Sequence, residues 1–292
     1  MKLMRFQDPE TFAEPSQHQL FVQMRQNWVR DTNFCLQTRD AHLSQISLSL
    51  EHRRGTFLDS TEWRTKPWKG LHKTYSDTLW DALARVPTMF EAWDDLRANS
   101  FSHDLEEQAA MLRRRCYDLE VDLTEWHDML STSCHSFTET QSAMLRGCID
   151  TLSPEDLPDI LSRHGVWYLY AWMMYWGGCI ILYTTTPLIY LRFPPSTTEL
   201  TVSASGSIGS YCLAIARSVK HFFGPQPVGL RIEMLLRIPV SIVQKVLGNL
   251  AVCGCDPKLT EAAIVLQRVG KTEPARPSML SQQRYQVTAL PR

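Results

Sequence analysis

Apolar residues recur along this chain at spacings of three and four, the period of a helix with one buried face. Leu20, Met24 and Trp28 follow Ser16 and Gln19, which predicts a capping box opening a helix. Leu43, Ile46 and Leu50 form a second stripe. Leu71, Tyr75, Leu79, Leu83 and Val86 form a third, expected to end at Pro87, with Met89, Trp93 and Leu96 on a short helix beyond it. Ser153-Pro154-Glu155-Asp156 reads as a helix start: a cap, a proline in the first turn, then acids against the helix dipole. Ile208, Tyr211, Cys212, Ile215, Val219 and Phe222 make a further stripe, closed by Gly224-Pro225. Leu230, Met234, Ile238, Ile242 and Leu250 surround Pro239, which should kink or split that segment. Asp256-Pro257 should cap a last helix through Leu259, Ala263, Leu266 and Val269, closed by Gly270. Strand-like alternation is brief, at Leu200, Val202 and Ala204.

The longest regular pattern covers 102–131. Leu105, Ala109, Leu112, Cys116, Leu119, Leu123, Trp126 and Leu130 alternate by four and three over almost four heptads. Two readings stay open. The stripe lies on the protein's own core, or Leu105, Leu112, Leu119 and Trp126 form a helix-pairing seam with a second helix.

From Gly165 to Leu191 no residue is charged, and Arg163 and Arg192 flank the run. Its length would cross a bilayer. However, Trp167, Tyr168, Tyr170, Trp172, Tyr175, Trp176 and Tyr183 run through its middle, where a spanning helix is aliphatic. An apolar helix at the centre of a large helical protein fits better. The expected fold is therefore all-α: a single helical array over residues 1–270 around the 166–191 helix, with a flexible tail over 271–292. Trp126, Trp172, Trp176 and Leu119 are expected in the core. Tyr168, Trp172, Tyr175 and Tyr183 share one side of the central helix. Their polar tips either bond neighbouring groups in the core or line an apolar pocket for a small-molecule effector.

Composition excludes more than it assigns. Among 292 residues, 44% are hydrophobic and 21% charged, which rules out a wholly disordered chain. Lys+Arg 30 against Asp+Glu 31 leaves a net charge of −1, without the basic footprint of a nucleic-acid binder. Residues 1–150 hold 17 basic and 23 acidic side chains and the rest 13 and 8, which reads as differently solvated faces or, alternatively, an acidic partner for the second half.

Eight cysteines without an apolar leader over Met1–Glu10 imply free thiols in a reducing compartment. Cys253-Gly-Cys255 stands alone, so no zinc site is expected. Asp94-Asp95 lacks the carboxylates one turn on that a magnesium motif needs, and reads as a solvated helix face. Trp126-His127-Asp128 and Cys134-His135 put titratable neighbours about 100° apart on a helix, which does not make a dyad. Arg113-Arg114-Arg115, amid Glu106, Glu107, Asp118, Glu120 and Asp122, reads as a solvated, ion-paired face. No phosphate-binding glycine loop or nucleophile elbow is present. No catalytic, metal or DNA-binding residue and no cofactor is therefore expected.

Five strings together resemble the regulatory region of fungal zinc binuclear-cluster transcription factors, the fungal-specific transcription factor domain. "RRGTFLDSTEWRTKPW" (53–68) is similar to that family's "FL…W…PW" segment. "LWDALARVPTMFEAWDDL" (79–96) looks like the helix pair that follows it. "CYDLEVDLTEW" (116–126) resembles its long helix ending in Trp, and "YLYAWMMYWGGCIILY" (168–183) its aromatic buried helix. "AIARSVKHFFGPQPVGLRIEMLLRIPVSIV" (214–243) resembles its late helix, glycine turn and proline-interrupted helix. The likeness spans about residues 34–255. The family's DNA reader, six cysteines on two zincs, has no counterpart here: Cys35 and Cys116 come first. The resemblance implies a nuclear or cytoplasmic regulator of transcription, tied to a metabolic or secondary-metabolite gene cluster. It would act through protein partners or a small-molecule effector without contacting DNA itself. The other classes left by the residues are a single-span membrane protein using 166–191 and, behind it, a metabolic enzyme.

Overall fold

The computed structural model describes residues 7–26, 45–99, 104–130, 139–202, 207–223, 232–249 and 256–272. Of these, 82% are helical and none is in a strand, so the fold is all-α. The helices are α1 (Pro15–Gln26), α2 (Gln45–His52), α3 (Thr61–Thr65), α4 (Tyr75–Leu83), α5 (Arg85–Ala98), α6 (Leu105–Met129), α7 (Glu139–Thr151), α8 (Pro158–Leu161), α9 (Val166–Arg192), α10 (Ile208–Ser218), α11 (Ile232–Gly248) and α12 (Pro257–Thr272). Trp28, Leu43, Ala204, Leu230, Leu250, the Cys134-His135 and Cys253-Gly-Cys255 pairs, Gly224-Pro225 and the tail from residue 273 lie outside the described residues.

Several helix ends differ from the sequence expectation. Helix α1 opens at Pro15, whose fixed φ suits a first position, so Ser16 and Gln19 lie inside it rather than at its cap. Leu71 is exposed and precedes α4. The start of α4 is set by Thr74 and Asp77: the Asp77 N–H donates to Thr74 Oγ1 (3.3 Å) and the Thr74 N–H to Asp77 Oδ2 (3.0 Å), a reciprocal cap. The break before α5 falls at Ala84, and Pro87 lies in the first turn of α5. A missing N–H costs nothing there, because the first-turn donors have no helical partner. Pro239 splits nothing: α11 runs through it, as α9 runs through Pro187. Helix α12 continues past Gly270 to Thr272. Leu200 and Val202 are in no strand.

Where the sequence suggested one domain over 1–270, the chain divides into two compact units, each drawn from separated stretches. The first comprises Met1–Arg146 and Leu182–Ala204, the second Gly147–Ile181 and Ser205–Arg292. Helix α9 contributes to both.

In the first unit α6 packs on α4 and α5. Ala109, Leu112, Cys116, Leu119, Leu123 and Trp126 are buried along its seam, and Leu105 is half-buried. Arg85 reaches from α5 to Asp122 of α6 at 2.9 Å. A second cluster gathers Phe12, Phe21, Trp63 and Trp68, with Phe12 and Trp63 ring centres 5.5 Å apart.

In the second unit α10 packs chiefly on α12, and also on the 3-10 turn Pro154–Asp156, α8 and α11. The part of α9 in this unit is buried without interruption from Tyr168 to Ile180. Trp172 and Trp176 are each only 1% exposed. Among the described residues no helix is long and apolar enough to cross a membrane.

The tightest approach in this unit is at Gly209 in the first turn of α10. A Cβ there would lie 1.9 Å from Asp256 Oδ2 and 2.7 Å from its Cγ. Asp256 is not free to swing aside, because its Oδ1 accepts the Lys258 N–H (2.9 Å) at the start of α12. Gly209→Ala should therefore cost about 1–3 kcal/mol through overpacking, although alanine favours the helix by about 1 kcal/mol. Adding Asp256→Ala should relieve it. Gly147→Ala in α7, where a new Cβ meets nothing within 4 Å, should instead gain about 0.5–1 kcal/mol. Urea melts of the variants test this, and a Gly209→Ala protein as stable as wild type would contradict the packing.

Candidate functional site

Each group singled out from sequence has a definite place. Leu112, Leu119 and Trp126 are fully buried by their own chain, so α4 and α5 occupy the seam proposed for helix pairing. Tyr168, Trp172 and Tyr175 of the proposed effector face lie in the second unit. Tyr183, half-buried, falls in the first. Within the second unit the rings pack on one another. Trp172 meets Tyr175 edge-on at 5.5 Å between centres and Trp176 at 5.7 Å, while Tyr168 meets His164 at 5.7 Å. Burial lowers the His164 pKa, with help from Arg163, so its imidazole favours the neutral form. Tyr170, which the one-sided stripe left out, is as buried as its neighbours. Burial alone drives its phenol well above the usual range, so it stays neutral.

The basic run 113–115 divides. Arg114 and Arg115 are exposed, and Arg114 pairs with Asp118 one turn on. Arg113 corrects the solvated reading: its side chain is 1% exposed. Its Nε and Nη2 grip both oxygens of Glu199 (2.5 and 2.8 Å), Nη2 also donates to Glu106 (2.8 Å), and Nη1 donates to the Phe193 carbonyl (3.3 Å). Every arm of the fork is used, as a buried guanidinium requires. The clamp fastens the stretch after α9 to α6. In the same stretch Tyr190 Oη accepts the Val202 N–H (2.9 Å), and Phe193 sits edge-on to Trp93.

Asp94 is likewise not a bare solvated acid. Arg53 grips it with Nε and Nη2 (2.7 and 2.8 Å) and lies 4.1 Å over the Phe90 ring. Next to it Glu91 accepts from Arg54 Nη1 (3.2 Å) and from the Gly55 N–H (2.9 Å). Arginine, not a metal ion, answers this acid. Among the described residues no three His, Cys, Asp or Glu groups gather to hold a metal. His127 Nδ1 lies 3.5 Å from Asp128 Oδ1, a loose contact on an exposed helix end.

The second unit has its own ionic cluster, which the sequence marked only as a helix start. Glu155 Oε1 meets Lys258 Nζ at 2.6 Å, and Lys258 also donates to Ser210 Oγ (2.7 Å). Arg217 donates to the Glu155 carbonyl (3.0 Å), to Asp156 (3.4 Å) and to Glu261 (2.6 Å). Burial opposes ionisation of Glu155. Hydrogen bonds from Lys258, its own backbone and the Ser153 and Ser210 hydroxyls outweigh it and hold the carboxyl at about 2. Nearby, Asp159 pairs with Lys220 (2.8 Å) and His221 (2.9 Å).

Two buried thiols, Cys116 and Cys212, are inert rather than poised. Cys116, Cys148, Cys179 and Cys212 are free. Burial pushes the Cys116 thiol up to about 11 against a hydrogen bond with Thr186. Burial and then the Asp256 charge push Cys212 to about 12. At pH 8 only about one Cys116 in a thousand, and fewer Cys212, are thiolate. Iodoacetamide on the folded chain should therefore label the half-buried Cys148 before Cys116 and Cys212, which should wait until denaturant is added. Peptide mapping reads this, and fast labelling of either buried thiol would refute their placement.

Set against protein-family models, curated proteins and solved structures, the chain matches none of them.

Proposed function

We propose that this chain is a regulator of transcription of the kind its five strings resemble. It works in the nucleus or cytoplasm through protein partners or a small-molecule effector, without contacting DNA itself, and is tied to a metabolic or secondary-metabolite gene cluster. The observation that carries the reading is how the strings interlock. Arg53, Arg54 and Gly55 of the first bond to Asp94 and Glu91 of the second. Trp126, closing the third, donates from Nε1 to the Tyr75 carbonyl (2.7 Å), at the head of the helix that carries the second. In the other unit Gly177 of the fourth lies against Ile242 of the fifth, so close that a Cβ would come within 3.0 Å of Ile242 Cδ1. Residues of the quoted strings thus join elements of this fold, which supports reading the strings together. A scaffold of this kind supports regulation by contact.

Fusion to an unrelated DNA-binding domain tests the proposal. Recruited upstream of a reporter gene in fungal cells, the chain should change expression several-fold, and the Trp126→Ala variant should lose the effect along with its fold. A reporter that the stably expressed fusion leaves unmoved would overturn the reading.

A further inference from the structure

Among the described residues one place carries paired arginines before a threonine and two carry a Ser/Thr-Pro step, sequences that basic-directed and proline-directed kinases read. They differ in what the fold does with them. Arg53-Arg54-Gly55-Thr56 has the two basic residues that basic-directed kinases seek. However, Asp94 and Glu91 hold the arginines, and Thr56 is 8% exposed with its hydroxyl accepting the Leu58 N–H. Thr186-Pro187 has the proline step, but Thr186 is 3% exposed within α9. Ser153-Pro154 has the same step on a different backbone. Ser153 is extended (φ −73°, ψ 150°), half-buried and outside any helix, next to the exposed Leu152 and Asp156. An extended serine followed by proline is the form a proline-directed kinase binds.

We propose that Ser153 is a phosphorylation site and that its phosphate loosens α12 from α10. In the modification the Ser153 hydroxyl oxygen attacks the γ-phosphorus of ATP. A P–O bond forms to serine, the bond to the β,γ-bridging oxygen breaks, ADP leaves, and the hydroxyl proton passes to the kinase's base. The hydroxyl lost lies 3.5 Å from Asp156 Oδ2 and has one proton to share between that carboxylate and Glu155, whose ionised form it favours. Its replacement cannot donate and carries close to two negative charges. Those charges arrive where Glu155, Asp156 and Glu261 already share Arg217 and Lys258. The added anion repels the carboxylates and competes for both cations. Lys258 and Glu261 tie α12 ionically to this cluster, beside its buried Leu259, Ala262 and Leu266. Ionic ties that converge on one cluster are ones that a local charge change can disturb together.

The experiment treats the full chain with ATP and a purified proline-directed serine/threonine kinase, maps phosphate by mass spectrometry, and follows hydrogen exchange over 257–272. A peptide covering 148–162 is run alongside. Phosphate should appear on Ser153 and not on Thr186, and Ser153→Ala should abolish it. The α12 amides of the modified chain should then exchange at least about tenfold faster than before, and Ser153→Glu should shift them the same way by less. Failure to modify Ser153 in the folded chain, whether or not the peptide is a substrate, would overturn the proposal. So would a phosphorylated chain whose α12 exchanges as before.

Discussion

Trp126→Ala is expected to be among the most damaging single changes in the first unit, costing about 3–5 kcal/mol from the lost side chain and the cavity it leaves. Trp126 is fully buried where α4 and α6 meet. Its indole lies 6.3 Å from the Tyr75 ring, centre to centre, and its Nε1 donates to the Tyr75 carbonyl at 2.7 Å. The change therefore removes packing and a hydrogen bond across two helices. Trp126→Phe separates the two: it keeps most of the ring but removes the donor, and should cost about 1–2 kcal/mol. A typical domain holds about 5–15 kcal/mol in all, so the alanine variant should melt many degrees lower and expose its remaining tryptophans to quenchers. Loss of only a degree or two in the alanine variant would move Trp126 out of the core.

That tryptophan was legible because its signal is local and repeated. The a/d spacing over 105–130 fixes a face, and the structure buries that face from Ala109 on. Helix starts were legible only where their own chemistry was read. The Thr74-x-x-Asp77 cap stands in the sequence, but the apolar stripe extended back to Leu71 hid it. Prolines misled in one direction. Pro87 falls among first-turn donors that have no helical partner, and Pro239 sits inside α11, where helix packing outweighs one lost hydrogen bond. Arg113 was not legible at all as a buried group. Its helix position borders the apolar face, next to Leu112 and one turn from Cys116, but what decides its burial is Glu199, 86 residues away. Asp94 shows the same: its partner Arg53 is 41 residues off. Periodicity reports which face is covered. It does not report which distant charge arrives to pair with a group at the edge of that face.

The proposed effector face turns on the same limit, and Trp172→Ala should decide what that face is. Trp172 is 1% exposed, with the rings of Tyr175 and Trp176 beside it in α9. If these rings fill the core, truncation costs about 3–5 kcal/mol and leaves a dry apolar cavity of the size of an indole. Such cavities take up matching aromatic molecules. Millimolar indole should then raise the melting point of the variant and leave wild type unchanged. A ligand at 100 times its dissociation constant adds about 2.7 kcal/mol, so rescue near saturation should recover more than half of the loss. If instead wild type holds a preformed pocket on this face, indole or an effector from a metabolite panel should stabilise wild type as well, and Trp172→Ala should weaken that response. The packed rings argue for the first outcome, in which Tyr168, Trp172 and Tyr175 are core rather than an effector site. A wild-type shift abolished by Trp172→Ala would restore the pocket.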